Sequence, residues 1–431
     1  MSKREGELTP VSVNRSANTL FLYCFIAYAL SYLGRQNFSA CLPSMMAEGV
    51  LDKTWGGYIT TAYMMVYAAG QFVNGVSGTR IKPQYMIGIG LGGAGIMNLC
   101  MGAVSSPVLM LLIWSGNGLF QSMLWAPMIR VFTDRLPKEK QYAAGVNIAP
   151  SIPVGTVLAY LLPGILLTFA SWRTVFFVMG VILLLACLGW TVGHVYLKKY
   201  IDYMDEKCRH ERTVHATGNV SPSRPEASLF FVMISAGLLF VLPCLLCLGA
   251  LKDAVTAWMP TFFAESFGMD GASASLITVI VPAVSVSGAY VSTWINKRFI
   301  RNELFTGGLM TAVMTVCMLG VVFLQGHSMM ACAAFLAVGI SAMWGANTMF
   351  LTMLPYHFAK VNLSSAVTGF FNCFTYFSSA AATSVYGILA EYADWQVLTL
   401  TWLGIGIFGV ISCVLAGRVW RKKSERSNGH L

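Results

Sequence analysis

Long apolar stretches separated by short polar ones run the whole length of the chain. Twelve can be placed, at 19–46, 54–75, 84–104, 108–131, 142–169, 174–196, 234–263, 272–295, 304–325, 329–354, 364–390 and 396–419. A membrane-spanning helix needs about 20 mainly apolar residues, so the pattern predicts twelve transmembrane helices, here called spans one to twelve. Residues 197–229 form the single long polar stretch and divide the spans into two sets of six. The expected organisation is a six-helix half over 1–196, a cytoplasmic linker over 197–229, and a second half with its tail over 230–431. The predicted fold class is therefore an all-α membrane protein of two pseudo-symmetric six-helix bundles.

The two sets repeat each other. Arg35-Gln36-Asn37-Phe38-Ser39-Ala40-Cys41-Leu42-Pro43 and Lys252-Asp253-Ala254-Val255-Thr256-Ala257-Trp258-Met259-Pro260 share one pattern at an offset of 217 residues. Each reads as a cation, three residues, Ser or Thr, Ala, any residue, Leu or Met, and Pro. Thr79-Arg80 and Asn296-Lys297 repeat the offset of 217 after the second span of each set. Trp125 and Trp344 lie 219 apart, and Trp172 and Trp395 lie 223 apart, a drift expected from loop insertions. Two parallel halves related by an axis along the membrane normal are a transporter architecture with its site between the halves.

Composition agrees with this pattern and then adds direction. The chain is 56% hydrophobic and 11% charged, against about 25% charged in soluble domains. Its net charge of +10 does not point to nucleic acid, because the basic residues cluster in alternate short loops. Of 28 Lys and Arg, 24 fall in segments on the N-terminal side of the membrane and only Lys53 and Arg173 on the other. Excess Lys and Arg mark cytoplasmic segments, so both termini are expected in the cytoplasm. Ten of eleven cysteines lie in apolar stretches and read as packing residues rather than a disulfide framework.

The two remaining cations, Arg35 and Lys252, fall inside spans one and seven. A charge at the bilayer centre costs about 2.5–3.5 kcal/mol on insertion scales, so a matched pair implies a water-filled cavity or an anionic partner. A guanidinium grips phosphate or carboxylate with two parallel hydrogen bonds, and lysine adds a point charge. One cation from each half could clamp a small anion and couple its binding to movement of the halves. Asp253 is the mid-helix carboxylate in the pattern and a candidate for proton coupling or charge pairing. Polar residues at helical spacing supply further candidates for substrate contact. These are Tyr32 in span one, Tyr67 and Gln71 in span two, Trp125 in span four, Asn147 in span five, and Asn372 and Tyr376 in span eleven. Tyr28, Tyr63, Asn74, Asn117, Gln121, Trp344, Asn347 and Ser379 lie on the same stripes. Arg80 and Lys297 are expected in gating loops.

No reactive constellation, nucleotide-binding motif, cofactor site or metal site is predicted. Gly88-Ile89-Gly90-Leu91-Gly92-Gly93 lacks the Lys-Ser/Thr of a phosphate loop and reads as close helix packing. An enzyme is not expected.

These features resemble the major facilitator superfamily and, within it, the organophosphate:phosphate antiporter family of bacterial glycerol-3-phosphate and hexose-phosphate transporters. The resemblance rests on Tyr32-Leu33-Gly34-Arg35-Gln36-Asn37-Phe38, Gly118-Leu119-Phe120-Gln121-Ser122-Met123-Leu124-Trp125-Ala126-Pro127, Trp258-Met259-Pro260-Thr261 and Ala366-Val367-Thr368-Gly369-Phe370-Phe371. It implies that Arg35 is the substrate arginine of span one. Lys252 then stands where many members carry a second arginine. Three departures accompany the likeness: Gln71 replaces a lysine of the glycerol-3-phosphate transporters, Pro150 falls near their histidine, and Thr79 replaces an acidic loop residue. They remove cationic character, arguing against a phosphate dianion and leaving room for a smaller charge.

The expected function is alternating-access transport of a small organic anion, most simply a phosphorylated metabolite exchanged for inorganic phosphate. Exchange of equal charges avoids a cost of about 2.3 kcal/mol per charge per 100 mV. The alternatives are proton-coupled symport of a carboxylate such as a sugar acid, with Asp253 as carrier, and a transporter-like membrane sensor of sugar phosphate. The expected location is the plasma membrane, a bacterial inner membrane, with the protein working as a monomer in the lipid bilayer.

Overall fold

The structure is a computed structural model, described over residues 10–77, 81–217, 238–357 and 364–428. Twelve helical rods cross it, and among the described residues nine are long and apolar enough to span a membrane. The rods outside that set are Lys53–Ser77, the broken pair Lys138–Asn147 and Ser151–Leu166, and Ser364–Tyr392. These are spans two, five and eleven. Spans two and eleven fall short because Tyr, Gln, Asn and Ser interrupt their apolar runs, and span five because its apolar helix Ser151–Leu166 has only 16 residues; all three pack against the opposite half. Span two packs along span eleven, and span five along span eight (Gly271–Thr278 and Ile280–Ile295). Polar character therefore collects at the interface while apolar side chains face outward.

Spans one and seven are irregular at matched heights. Span one is two helices, Pro10–Ser31 and Leu33–Ala47. The break frees a carbonyl, because the Arg35 N–H turns to Tyr32 O rather than Ser31 O. Gln121 Nε2 then donates to Ser31 O at 2.9 Å, and Asn117 Nδ2 donates to Gly34 O at 2.7 Å. Asn98 joins them, accepting from Asn37 Nδ2 at 2.8 Å. In a membrane a bare carbonyl costs several kcal/mol, so this amide cluster holds the broken turn beneath Arg35. Span seven instead widens. Ala250–Ala254 forms a π turn between Leu242–Gly249 and Val255–Phe267. A Cβ on Gly249 would lie 2.1 Å from Thr375 O, so glycine is required for this close approach of spans seven and eleven. Two more π turns, Asn296–Ile300 and Thr348–Met353, also fall in the second half.

The two ends of the bundle differ. At the end away from the termini, Lys53 Nζ pairs with Glu265 Oε2 at 3.0 Å and its N–H reaches Glu391 Oε2 at 3.1 Å. Thr61 Oγ1 donates to Ala380 O at 2.7 Å, Tyr160 OH to Thr256 O at 3.3 Å, and Ser275 Oγ to Tyr160 O at 2.7 Å. Ser39 Oγ donates to Ala257 O. Among the described residues, the hydrogen bonds joining the halves run from the level of Met64 and Ser379 outward to that end. One apolar core there includes residues of both halves, such as Leu42, Ile59, Trp258 and Phe262. The first half's other end has its own core of Leu20, Leu124, Met128 and Phe132. That core is extended by Tyr200 and Ile201 of the polar helix Lys198–Thr217.

Candidate functional site

Arg35 sits at the middle of the bundle, just past the break in span one. Three tyrosine rings surround its guanidinium, with the Cζ atom 4.6 Å from the centre of Tyr67, 5.4 Å from Tyr32 and 5.9 Å from Tyr63. No ion pair involves Arg35 among the described residues. The rings act through their negative faces, an attraction of roughly 0.5–2 kcal/mol each that leaves the N–H groups available. Tyr63 and Tyr67 are stacked at 6.1 Å, which fixes the box wall. Tyr67 OH accepts from Gln71 Nε2 at 2.6 Å. Its ring meets Tyr376 of span eleven edge-on at 5.6 Å, so the box reaches across to the second half. Tyr32 continues into Tyr28, which lies 5.0 Å from Trp125.

Lys252 is handled differently. Its Nζ donates to Asp253 Oδ1 at 2.8 Å and lies 4.4 Å from the centre of the Trp344 ring. Neighbouring residues on an α-helix diverge. The wider π turn brings these two together as an ion pair. The second carboxylate oxygen, Asp253 Oδ2, is buried without a hydrogen-bond partner.

The structure thus gathers Arg35, Tyr32, Tyr67, Gln71, Trp125 and Tyr376 into one chain of contacts. Arg35, Gln71, Trp125, Asn372 and Tyr376 all keep partial exposure in the middle of the bundle. Asn372 lies one turn before Tyr376 on span eleven. Asn147 is exposed at the end of Lys138–Asn147, and no hydrogen bond ties it to this cluster. Asn117 and Gln121 are occupied by backbone carbonyls, as above. Lys297 is exposed in the π turn after span eight, and Arg80 lies outside the described residues.

A second repeat emerges from the geometry. Trp172 Nε1 donates to Glu48 Oε2 at 2.9 Å in the first half, and Trp395 Nε1 donates to Glu265 Oε2 at 2.7 Å in the second. Glu48 and Glu265 lie 217 apart, the same offset as Arg35 and Lys252, so the signal was present in the sequence beside the matched tryptophans.

The Major Facilitator Superfamily profile matches residues 24–383. The chain belongs to that superfamily. Membership places it among multi-pass membrane transporters rather than enzymes. Among curated relatives, a "Probable hexose phosphate transport protein" of Chlamydia pneumoniae is 23% identical, over 88% of this chain and 86% of its own length. The "Membrane sensor protein UhpC" of Escherichia coli is 22% identical over 91% of this chain and 88% of that one. The "Glycerol-3-phosphate transporter" of Bacillus subtilis is 23% identical over 92% and 90%. Among solved structures, a bacterial homolog of the human lysosomal transporter Spinster, described as inward-facing and unoccupied, superposes with a TM-score of 0.74. It shares 14% identity and covers 97% of this chain and 99% of that one.

Proposed function

We propose that this major facilitator protein is a secondary transporter of a small organophosphate, moved by alternating access and exchanged for inorganic phosphate. The observation that carries the reading is Arg35 in a tyrosine box that reaches Tyr376 of the other half, with Lys252 at the same repeat position in the second half. Arg35 without an acidic partner suits a phosphate or carboxylate better than it suits packing. Tyr32, Tyr67, Gln71 and Tyr376 complete the substrate surface, with Trp125, Asn372 and Asn147 at its margin. The moving bodies are residues 1–196 and 230–431, joined by 197–229, with Arg80 and Lys297 in the loops that gate the inner end. The names of the hexose phosphate and glycerol-3-phosphate relatives support the substrate class.

The Lys and Arg count favours termini in the cytoplasm of a bacterial inner membrane. In that orientation the described conformation is closed to the outside. A single chain holds both cations, which suits a working monomer.

Counterflow tests the reading. Purified protein in proteoliposomes loaded with phosphate is given labelled glucose 6-phosphate or glycerol 3-phosphate outside. Uptake that needs internal phosphate supports the proposal. Binding without uptake would move the protein to the sensor class. Proton-driven uptake of a hexuronate in place of either phosphate would move it to the carboxylate symporters.

A further inference from the structure

The Lys252–Asp253 pair raises a question of charge that the transport reading leaves open. Arg35, Lys252 and Asp253 together give the mid-bundle site a net charge of +1 while the carboxylate is ionised. A phosphate monoester above pH 7 is a dianion, since its second pKa is about 6. Bound to the site as it stands, the dianion would leave one negative charge in a low-dielectric cavity. It would also meet Lys252 with its ammonium already committed, bonded to Asp253 Oδ1 at 2.8 Å and covered by Trp344 at 4.4 Å. Freeing that ammonium with Asp253 still charged would strand a partly buried carboxylate, whose Oδ2 is already without a partner. Leaving a buried charge uncompensated is the costly outcome in such pairs.

Resting on the organophosphate reading, we infer that Asp253 is a proton-accepting release for Lys252, so that each organophosphate dianion binds together with one proton. In this step the Nζ–H···Oδ1 bond breaks and Asp253 takes a proton from solvent. The freed ammonium then donates to a phosphate oxygen. Charge balances: the site passes from +1 to +2 and the dianion neutralises it. The groups named around Asp253 are a fixed cation, phenols, an indole and thiols. Arg35 is a permanent cation. Tyr32 of span one and Tyr376 of span eleven are phenols of the Arg35 box. Tyr386 of span eleven donates to Ala250 O, and Tyr160 of span five donates to Thr256 O. Span ten presents Trp344, and span twelve presents Cys413 toward Cys247. Phenols and thiols are neutral at neutral pH, and Asp253 is the one carboxylate among these groups. Inorganic phosphate returning by the same route would carry the proton back, which keeps the exchange electroneutral.

The test measures protons bound on ligand binding. Titration calorimetry of detergent-purified protein with glucose 6-phosphate at pH 8, in buffers of different ionisation enthalpy, should give about one proton taken up per anion in the wild type. Asp253→Asn, whose site is already +2, should bind the dianion with no net proton uptake. Asp253→Glu should restore it. Binding by the wild type without proton uptake overturns the inference and needs no variant. Equal uptake by wild type and Asp253→Asn overturns it too, because the proton then resides elsewhere. Failure of the wild type to bind glucose 6-phosphate or glycerol 3-phosphate at all would instead remove the organophosphate reading beneath it.

Discussion

Arg35 and Lys252 occupy the same repeat position, yet the two halves treat their cations in opposite ways. The first half holds a permanently charged guanidinium against three neutral aromatic faces and leaves its donors free. The second half holds an ammonium against an acid of its own. The terminus-bearing end does not repeat this contrast, because Arg135 of the first half pairs there with Asp205 at 2.8 Å. Arg135 Nη2 donates to Gln84 Oε1 at 2.7 Å in the first half, while His357 Nε2 meets Glu303 Oε1 at 3.2 Å in the second. At mid-bundle the first half offers a guanidinium without an acidic partner among the described residues, and the second an ammonium paired with its neighbour. A symmetric scaffold can in this way hold an anion with one side and regulate its grip with the other.

The largest expected break in that comparison is Arg35→Ala. Transport should fall about 100-fold or more, the scale of losing two charge-assisted hydrogen bonds, while expression stays near wild type. Full transport would sink the two-cation reading. Arg35→Lys keeps the charge but not the fork, and a loss of roughly 10-fold in kcat/KM is expected.

Lys252→Ala should cost both transport and stability, because it strands Asp253. The pair is only partly buried, so a loss of about 1–3 kcal/mol in unfolding free energy is expected. The double change Lys252→Ala with Asp253→Ala should recover most of that stability and none of the transport. Melting in detergent beside uptake separates the two. Arg35→Ala has no such stability rescue to find.

Tyr67→Phe keeps the ring over Arg35 and removes the hydroxyl that Gln71 touches. A rise in KM of about fivefold is expected, near 1 kcal/mol. At the closed end, Glu265→Gln should weaken the bond to Lys53 that crosses between the halves, whereas Glu48→Gln acts within one half. The first should raise labelling of a cysteine placed beneath that end by two- to fivefold, on the scale of an exposed ion pair. The second should not.

The smallest effect concerns His357. Its hydrogen bond to Glu303 raises the imidazole pKa above its ordinary value of 6.5. A raised folded pKa gives stability that is complete below the unfolded pKa and is lost as pH rises through the folded one. The melting temperature of wild type should therefore exceed that of His357→Gln at pH 6. The difference should vanish once the pH passes the raised pKa. Arg135→Gln should show no such window.

Much of this could be read from the chain. Apolar run lengths give the spans, and repeat offsets give the two halves and the matched cations. Stripe spacing gives most of the tyrosine box. What escaped was set by backbone irregularity. Gln121 looks like a ligand contact until the break at Tyr32 is seen to free the Ser31 carbonyl it caps, and Asn117 until its bond to Gly34 O is seen. Lys252 and Asp253 look divergent until the turn between them widens. Which end is closed depends on packing between distant spans, which no local pattern encodes. The Glu48 and Glu265 repeat was legible, but single acids at helix ends look like ordinary loop residues until each is seen to hold a tryptophan.

The π turns also carry a record of descent. From Thr79 and Asn296 to Trp125 and Trp344 the repeat offset grows from 217 to 219, and the π turn Asn296–Ile300 lies in that interval. From Trp125 and Trp344 to Trp172 and Trp395 it grows to 223, across Thr348–Met353. A π turn bonds one residue further along than an α turn, so each absorbs one inserted residue without opening the helix. Part of the divergence between two once-equivalent halves is thus stored inside helices rather than in loops. Beyond each insertion the side chains are turned by about 100°. A straight alignment of the halves will therefore pair the wrong faces at the inner ends of spans eight and ten.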